Sequence, residues 1–138
     1  MKRFKVLDHT ADVGLQAYGR TLKEAFENTA LGMFSLITDL DKVAEGDCLD
    51  VRVEAEDRET LLVEWLNELI YLFEVQEVLL KKFDIVNWDE EHHLTALVYG
   101  EKIDLERHPI KIQVKACTYH LLKVSKDDLW VAQVIFDV

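Results

Sequence analysis

Residues 129–136 read LWVAQVIF, apolar at nearly every position. A strand that is apolar on both faces has to be covered on both, which places it in the interior of a sheet. The rest of the chain must supply strands to flank it and other elements to cover it. Residues 2–7 and 14–19 carry β-formers on either side of a polar bend, and Gly19 closes the second run. Thr21-Leu-Lys-Glu24 is then a capping box, in which a hydroxyl and a carboxylate each satisfy an orphan amide at a helix start. Leu22, Ala25, Phe26, Ala30, Met33, Phe34 and Ile37 form the apolar stripe of the helix it opens, which runs to about residues 36–39.

The same grammar recurs downstream. Residues 49–55 alternate as a strand. Asp57 precedes a second helix, with Glu59 in its first turn and Leu62, Trp65, Leu66, Leu69, Ile70 and Phe73 as its stripe. Glu64, Glu68 and Glu74 lie off that stripe. Runs at 79–87, 94–99, 111–118 and 129–136 read as further strands. In the run at 111–118, Ile112, Val114, Ala116 and Thr118 share one face. Lys111, Gln113, Lys115 and Cys117 share the other. The order predicts an α+β fold: two layers, a mostly antiparallel sheet with two principal helices packed on it. With one proline, Pro109, and no low-complexity stretch or linker, residues 1–138 are expected to form a single domain.

Charge narrows the function classes. Twenty-seven acids against 16 bases leave a formal net charge of −11. That disfavours direct nucleic-acid binding, which needs clustered Lys and Arg, and favours a metal ion or a basic protein surface. No apolar window is long enough for a membrane span, and MKRFKVLDHT lacks the apolar core of a signal peptide. Cys48 and Cys117 stand far apart with no CxxC, as expected of two reduced thiols in the cytoplasm.

The acids sit at bends and ends. DHTADVG places Asp8, His9 and Asp12 in the first bend. Asp39 follows the first helix, where the dipole disfavours an acid by about 0.3–1 kcal/mol. Asp137 ends the hydrophobic final strand beside Val138, so its carboxylate and the terminal one are about a residue apart. If Asp8, Asp12, Asp39, Asp137 and Val138 converge, they form a hard-oxygen site for Ca²⁺, Mg²⁺ or Mn²⁺ rather than zinc. Such close carboxylates repel one another unless a cation intervenes. Lys115 is either a solvated lysine or a partner for these carboxylates or for a phosphate.

Other chemistries find little support. The five histidines form no HExxH and no helical metal pair. Neither Ser35 nor Ser125 has a Ser-His-Asp context, and no Gly-rich phosphate loop exists. A stand-alone metal-dependent phosphohydrolase would need a base and a pocket that the sequence does not name. A chaperone-like binding module would need an apolar patch that it does not demand.

DHTADVG, TLKEAFENTALGMFSLITD, LLVEWLNELIYLFE, GEKIDLERH, VKACTYH and VIFDV, in this order from about Phe4 to the last residue, resemble the archease family. The resemblance implies a small cytoplasmic accessory protein of the RtcB-type tRNA-splicing RNA ligase. Such a protein promotes ligase guanylylation and multiple turnover and broadens nucleotide use, touching tRNA only through the ligase. It has no catalytic residues of its own. The resemblance also implies a divalent-ion site, Ca²⁺ in the family, with Asp12, Asp137 and Val138 as ligands. Asp39 and Lys115 carry over as further functional positions, and Asp8 and His9 as shapers of the turn or neighbours of the ligands.

Overall fold

The computed structural model describes residues 1–8, for Asp8 its backbone alone, and residues 12–138. The predicted final strand is β7, Trp130–Asp137. It is paired on both sides in a four-stranded antiparallel sheet. Its neighbours are β2 (Asp12–Gly19), which pairs in turn with β1 (Phe4–Asp8), and β6 (Ala116–Lys126). Ala132, Val134, Ile135 and Phe136 are fully buried, as a strand covered on both faces requires.

A second antiparallel sheet is built from β3 (Asp47–Glu54), β4 (Val78–Trp88) and β5 (His93–Lys102), with β5 in the middle. Helices α1 (Leu22–Ile37) and α2 (Arg58–Glu74) each touch both sheets. The expected α+β fold, antiparallel with two principal helices, is what forms, with its strands divided between two sheets. Contact on two sides explains why α2 buries Leu61, Leu62, Val63, Trp65, Leu66, Leu69, Ile70, Leu72 and Phe73, a band wider than one stripe. Neither helix is long and apolar enough to cross a membrane.

Local chemistry follows the sequence closely at the helix starts. Thr21 Oγ1 accepts from the Glu24 amide at 3.1 Å, and Glu24 reaches back to the Arg20 amide at 3.2 Å. Asp57 accepts from the Thr60 amide at 2.8 Å, and these bonds hold its carboxyl below the ordinary value. The helices are tied to one another by Trp65 Nε1, which donates to the Phe26 carbonyl at 3.1 Å, and by the edge-on Phe34–Phe73 pair. Gly32 lets α1 lie close over the first hairpin, since a Cβ there would come within 2.9 Å of Leu15 and Phe4.

One expected strand is corrected. Residues 111–115 lie outside the ladder, and β6 begins only at Ala116. The Lys115 N–H donates to the Asp137 carbonyl at 2.9 Å while Ala116 is the residue aligned with Asp137. Two residues thus oppose one, a β-bulge that shifts the side-chain phase. Cys117 consequently points inward, 4% exposed, rather than sharing the solvent face with Lys115. A larger irregularity follows, where residues 119–122 oppose Val134 alone and Leu121 adopts a left-handed φ of 52°.

Candidate functional site

The antiparallel register of β2 and β7 sets Asp12 directly across from Asp137. Opposed residues on neighbouring strands point to the same face, with Cβ atoms about 4.5–5.5 Å apart. Their face is the one away from Val13–Phe136 and Leu15–Val134, which pair toward the helices. Farther along the same face, Gln16 and Gln133 are opposed, and Gln16 Nε2 donates to Gln133 Oε1 at 2.6 Å. Two amides can share a proton in that position. Two ionised carboxylates have no proton to share, and like charges so placed repel one another. Asp12 and the final strand therefore do meet, and Val138 follows at the end of β7, 39% exposed.

Lys115 belongs to this edge through its main chain, which holds the Asp137 carbonyl, and its side chain is exposed. Beneath it, Cys117 is gripped by Asn67 of α2. The Asn67 amide oxygen accepts from the Cys117 N–H at 2.8 Å, and its nitrogen donates to the Cys117 carbonyl at 3.3 Å. Burial, with the charge of Asp137 in support, pushes the Cys117 thiol up to about 12, so it is inert rather than a soft ligand.

Asp39 lies in a different environment. The helix end it follows packs against residues 109–111: Thr38 Oγ1 donates to the Pro109 carbonyl at 2.7 Å and the Lys111 N–H to the Ile37 carbonyl at 2.7 Å. Asp39 forms ion pairs with Lys111 at 3.4 Å and with Lys42 at 3.8 Å. These lysines supply the positive charge that the last turn of α1 lacks. Residues 111–115 run from Asp39 to Asp137 and span at most about 14 Å. Asp39 thus shares an end of the molecule with the aspartate pair without joining it. His9 and the side chain of Asp8 lie outside the described residues.

Among the described residues, no three His, Cys, Asp or Glu side chains gather closely enough to hold a metal ion. The donors that do meet, the carboxylates of Asp12 and Asp137, are hard oxygens of the kind a divalent cation prefers. Their chemistry suits such an ion, of which they would supply part of the shell.

A second polar centre was not visible in the sequence reading. His108, 1% exposed, receives the Asp104 N–H on Nδ1 at 2.9 Å, so its proton resides on Nε2. That nitrogen meets Glu101 Oε2 at 2.9 Å and the Lys42 carbonyl at 3.1 Å. Glu101 also accepts from Arg107 at 2.7 Å and from the Ala44 amide at 2.8 Å. The Arg107 bond first, then the amide and the imidazole, draw its carboxyl down to about 2. The charged string GEKIDLERH is the signal that contained it, but spacing alone did not show which charges meet.

The archease protein family (MTH1598/TM1083) matches residues 4–138. The chain belongs to the archease family. It is 44% identical to the archease of Methanosarcina barkeri over 99% of this chain and 97% of that protein. It is 39% identical to the archease of Pyrococcus abyssi over the full length of both. The solution structure of protein 1598 of Methanobacterium thermoautotrophicum superposes with a TM-score of 0.84 at 40% identity, covering both chains completely. Of the motifs that carry the archease resemblance, DHTADVG and VIFDV are the two whose aspartates the β2–β7 register sets side by side.

Proposed function

We propose that this archease-family chain is a cytoplasmic activator of an RtcB-type RNA ligase, holding a divalent cation at the Asp12–Asp137 edge and carrying no active site of its own. The observation that supports this reading most directly is the cross-strand pairing of Asp12 with Asp137, two like charges placed where a sheet would ordinarily put a neutral or opposite pair. Ca²⁺ is the expected ion, with Mg²⁺ and Mn²⁺ as alternatives of the same hard character. When bound, the ion supplies positive charge against the phosphates of a nucleotide in the ligase centre.

The chain's own residues perform the rest. Asp12 and Asp137 hold and present the charge. Lys115 fixes the Asp137 main chain and offers an exposed ammonium toward phosphate. Asp39, with Lys42 and Lys111, anchors the flanking segment. RNA is reached only through the ligase, in keeping with the net charge of −11.

The test is ligase guanylylation and RNA joining over many turnovers with Asp12→Asn and Asp137→Asn. Stimulation is expected to fall at least tenfold with folding intact. Wild-type stimulation by both variants would end the proposal. Phosphoester hydrolysis by the protein alone with Mg²⁺ or Mn²⁺ would replace it with an enzymatic one.

A further inference from the structure

The C-terminal end of α2 borders an open cavity of about 270 Å³. Phe73, Ile103, Leu105 and Ile110 form its apolar wall, and Glu74 and Glu77 carry its charge. The described lining holds no lysine or arginine. The nearby Lys102 is engaged elsewhere, its Nζ donating to the Gln76 carbonyl at 2.7 Å. No basic residue occupies the last turn of α2, so the negative end of the helix dipole adds to the two glutamates.

The apolar wall reaches the protein surface. Leu105, on that wall, is 78% exposed. An acidic rim around an apolar wall selects a long side chain with an aliphatic stem and a cationic head. The segment that follows the cavity leads along the chain toward the proposed site. Ile110 precedes Lys111, which bonds Ile37 and Asp39, and the segment ends at Lys115 on Asp137.

We propose that this cavity receives a lysine or arginine side chain presented by an apolar segment of the partner protein, seated against Leu105 and held by Glu74 and Glu77. The inference rests on the ligase-activator reading and adds the surface by which the partner is held. Binding and stimulation are then separable: the cavity governs association, and the Asp12–Asp137 edge governs activation.

Calorimetric titration of the RtcB-type ligase of the same organism, with guanylylation measured alongside, tests this. Leu105→Asp and Glu74→Lys alter exposed side chains, and thermal melts confirm their folding. Each is expected to weaken association at least tenfold, with stimulation recovered at saturating concentration. Asp137→Asn is expected to bind within threefold of wild type and fail to stimulate. Affinities of both cavity variants within twofold of wild type, beside a wild type that binds and stimulates, would overturn the inference and leave the activator reading standing. Weakening by Leu105→Asp alone would overturn the cationic occupant, and weakening by Glu74→Lys alone the apolar contact. A wild type that neither binds nor stimulates would sink the activator reading and this inference with it.

Discussion

Each sheet has an interior strand with an acid in its last two residues, Glu101 of β5 and Asp137 of β7, and the two acids meet opposite surroundings. Glu101 is answered from within the fold by Arg107, His108 and the Ala44 amide. Asp137 faces another aspartate. The first arrangement is a knot that ties the Lys42–Ala44 stretch and the loop after β5 to the sheet. The second sets two like charges side by side, which repel. A carboxylate serving structure is surrounded by donors. A carboxylate set against its own kind is the arrangement on which the proposed cation site rests.

The comparison breaks most easily at His108. Replacing it with Ala empties a buried site and strips partners from the Asp104 N–H, the Lys42 carbonyl and Glu101. We expect a loss of about 2–4 kcal/mol in urea unfolding. A loss below about 1 kcal/mol would mean that the knot is not structural.

The cation side comes next. In wild type, a saturating divalent ion at 100 times its Kd should stabilise the fold by about 2.7 kcal/mol. Asp137→Asn should abolish most of that gain. Equal ion-dependent shifts in melting temperature for both proteins would remove the site from β7.

Acid titration sharpens the contrast further. The Glu101 carboxyl titrates near 2 in the fold against an ordinary 4.5, so the folded chain holds fewer protons in that window. Its contribution is complete above 4.5 and is lost as pH falls toward 2. Glu101→Gln should therefore flatten the acid limb of stability against pH and lower stability at neutral pH. An unchanged acid limb would show that Glu101 is not held by its partners. The smallest effect is that of Asp137→Asn without any cation. Relief of the like-charge pair should leave stability unchanged or raise it by up to about 1 kcal/mol. A clear destabilisation would show Asp137 to be a structural acid like Glu101.

Asp39 stands out in the sequence because an acid after a helix C-terminus breaks a local rule, whereas Asp12 and Asp137 are singled out by the motifs DHTADVG and VIFDV. A broken local rule and a family motif both show without coordinates. Glu101 and His108 break no such rule. They sit in a charged string that reads as ordinary surface, and only the fold reveals that His108 is buried. Asn67 was equally silent, since its role in gripping Cys117 depends on where β6 begins.

What the sequence alone determined is the set of elements, because periodicity, caps and an apolar final strand are local properties that each segment carries by itself. It determined the α+β class and the strand that had to lie inside. Tertiary structure alone decided the partners. The pairing of Asp12 with Asp137, the removal of Asp39 to a pair of lysines, the bulge that turns Cys117 inward and the division into two sheets all depend on register. Register is set by the sum of many weak contacts across the whole sheet, and no single segment records it.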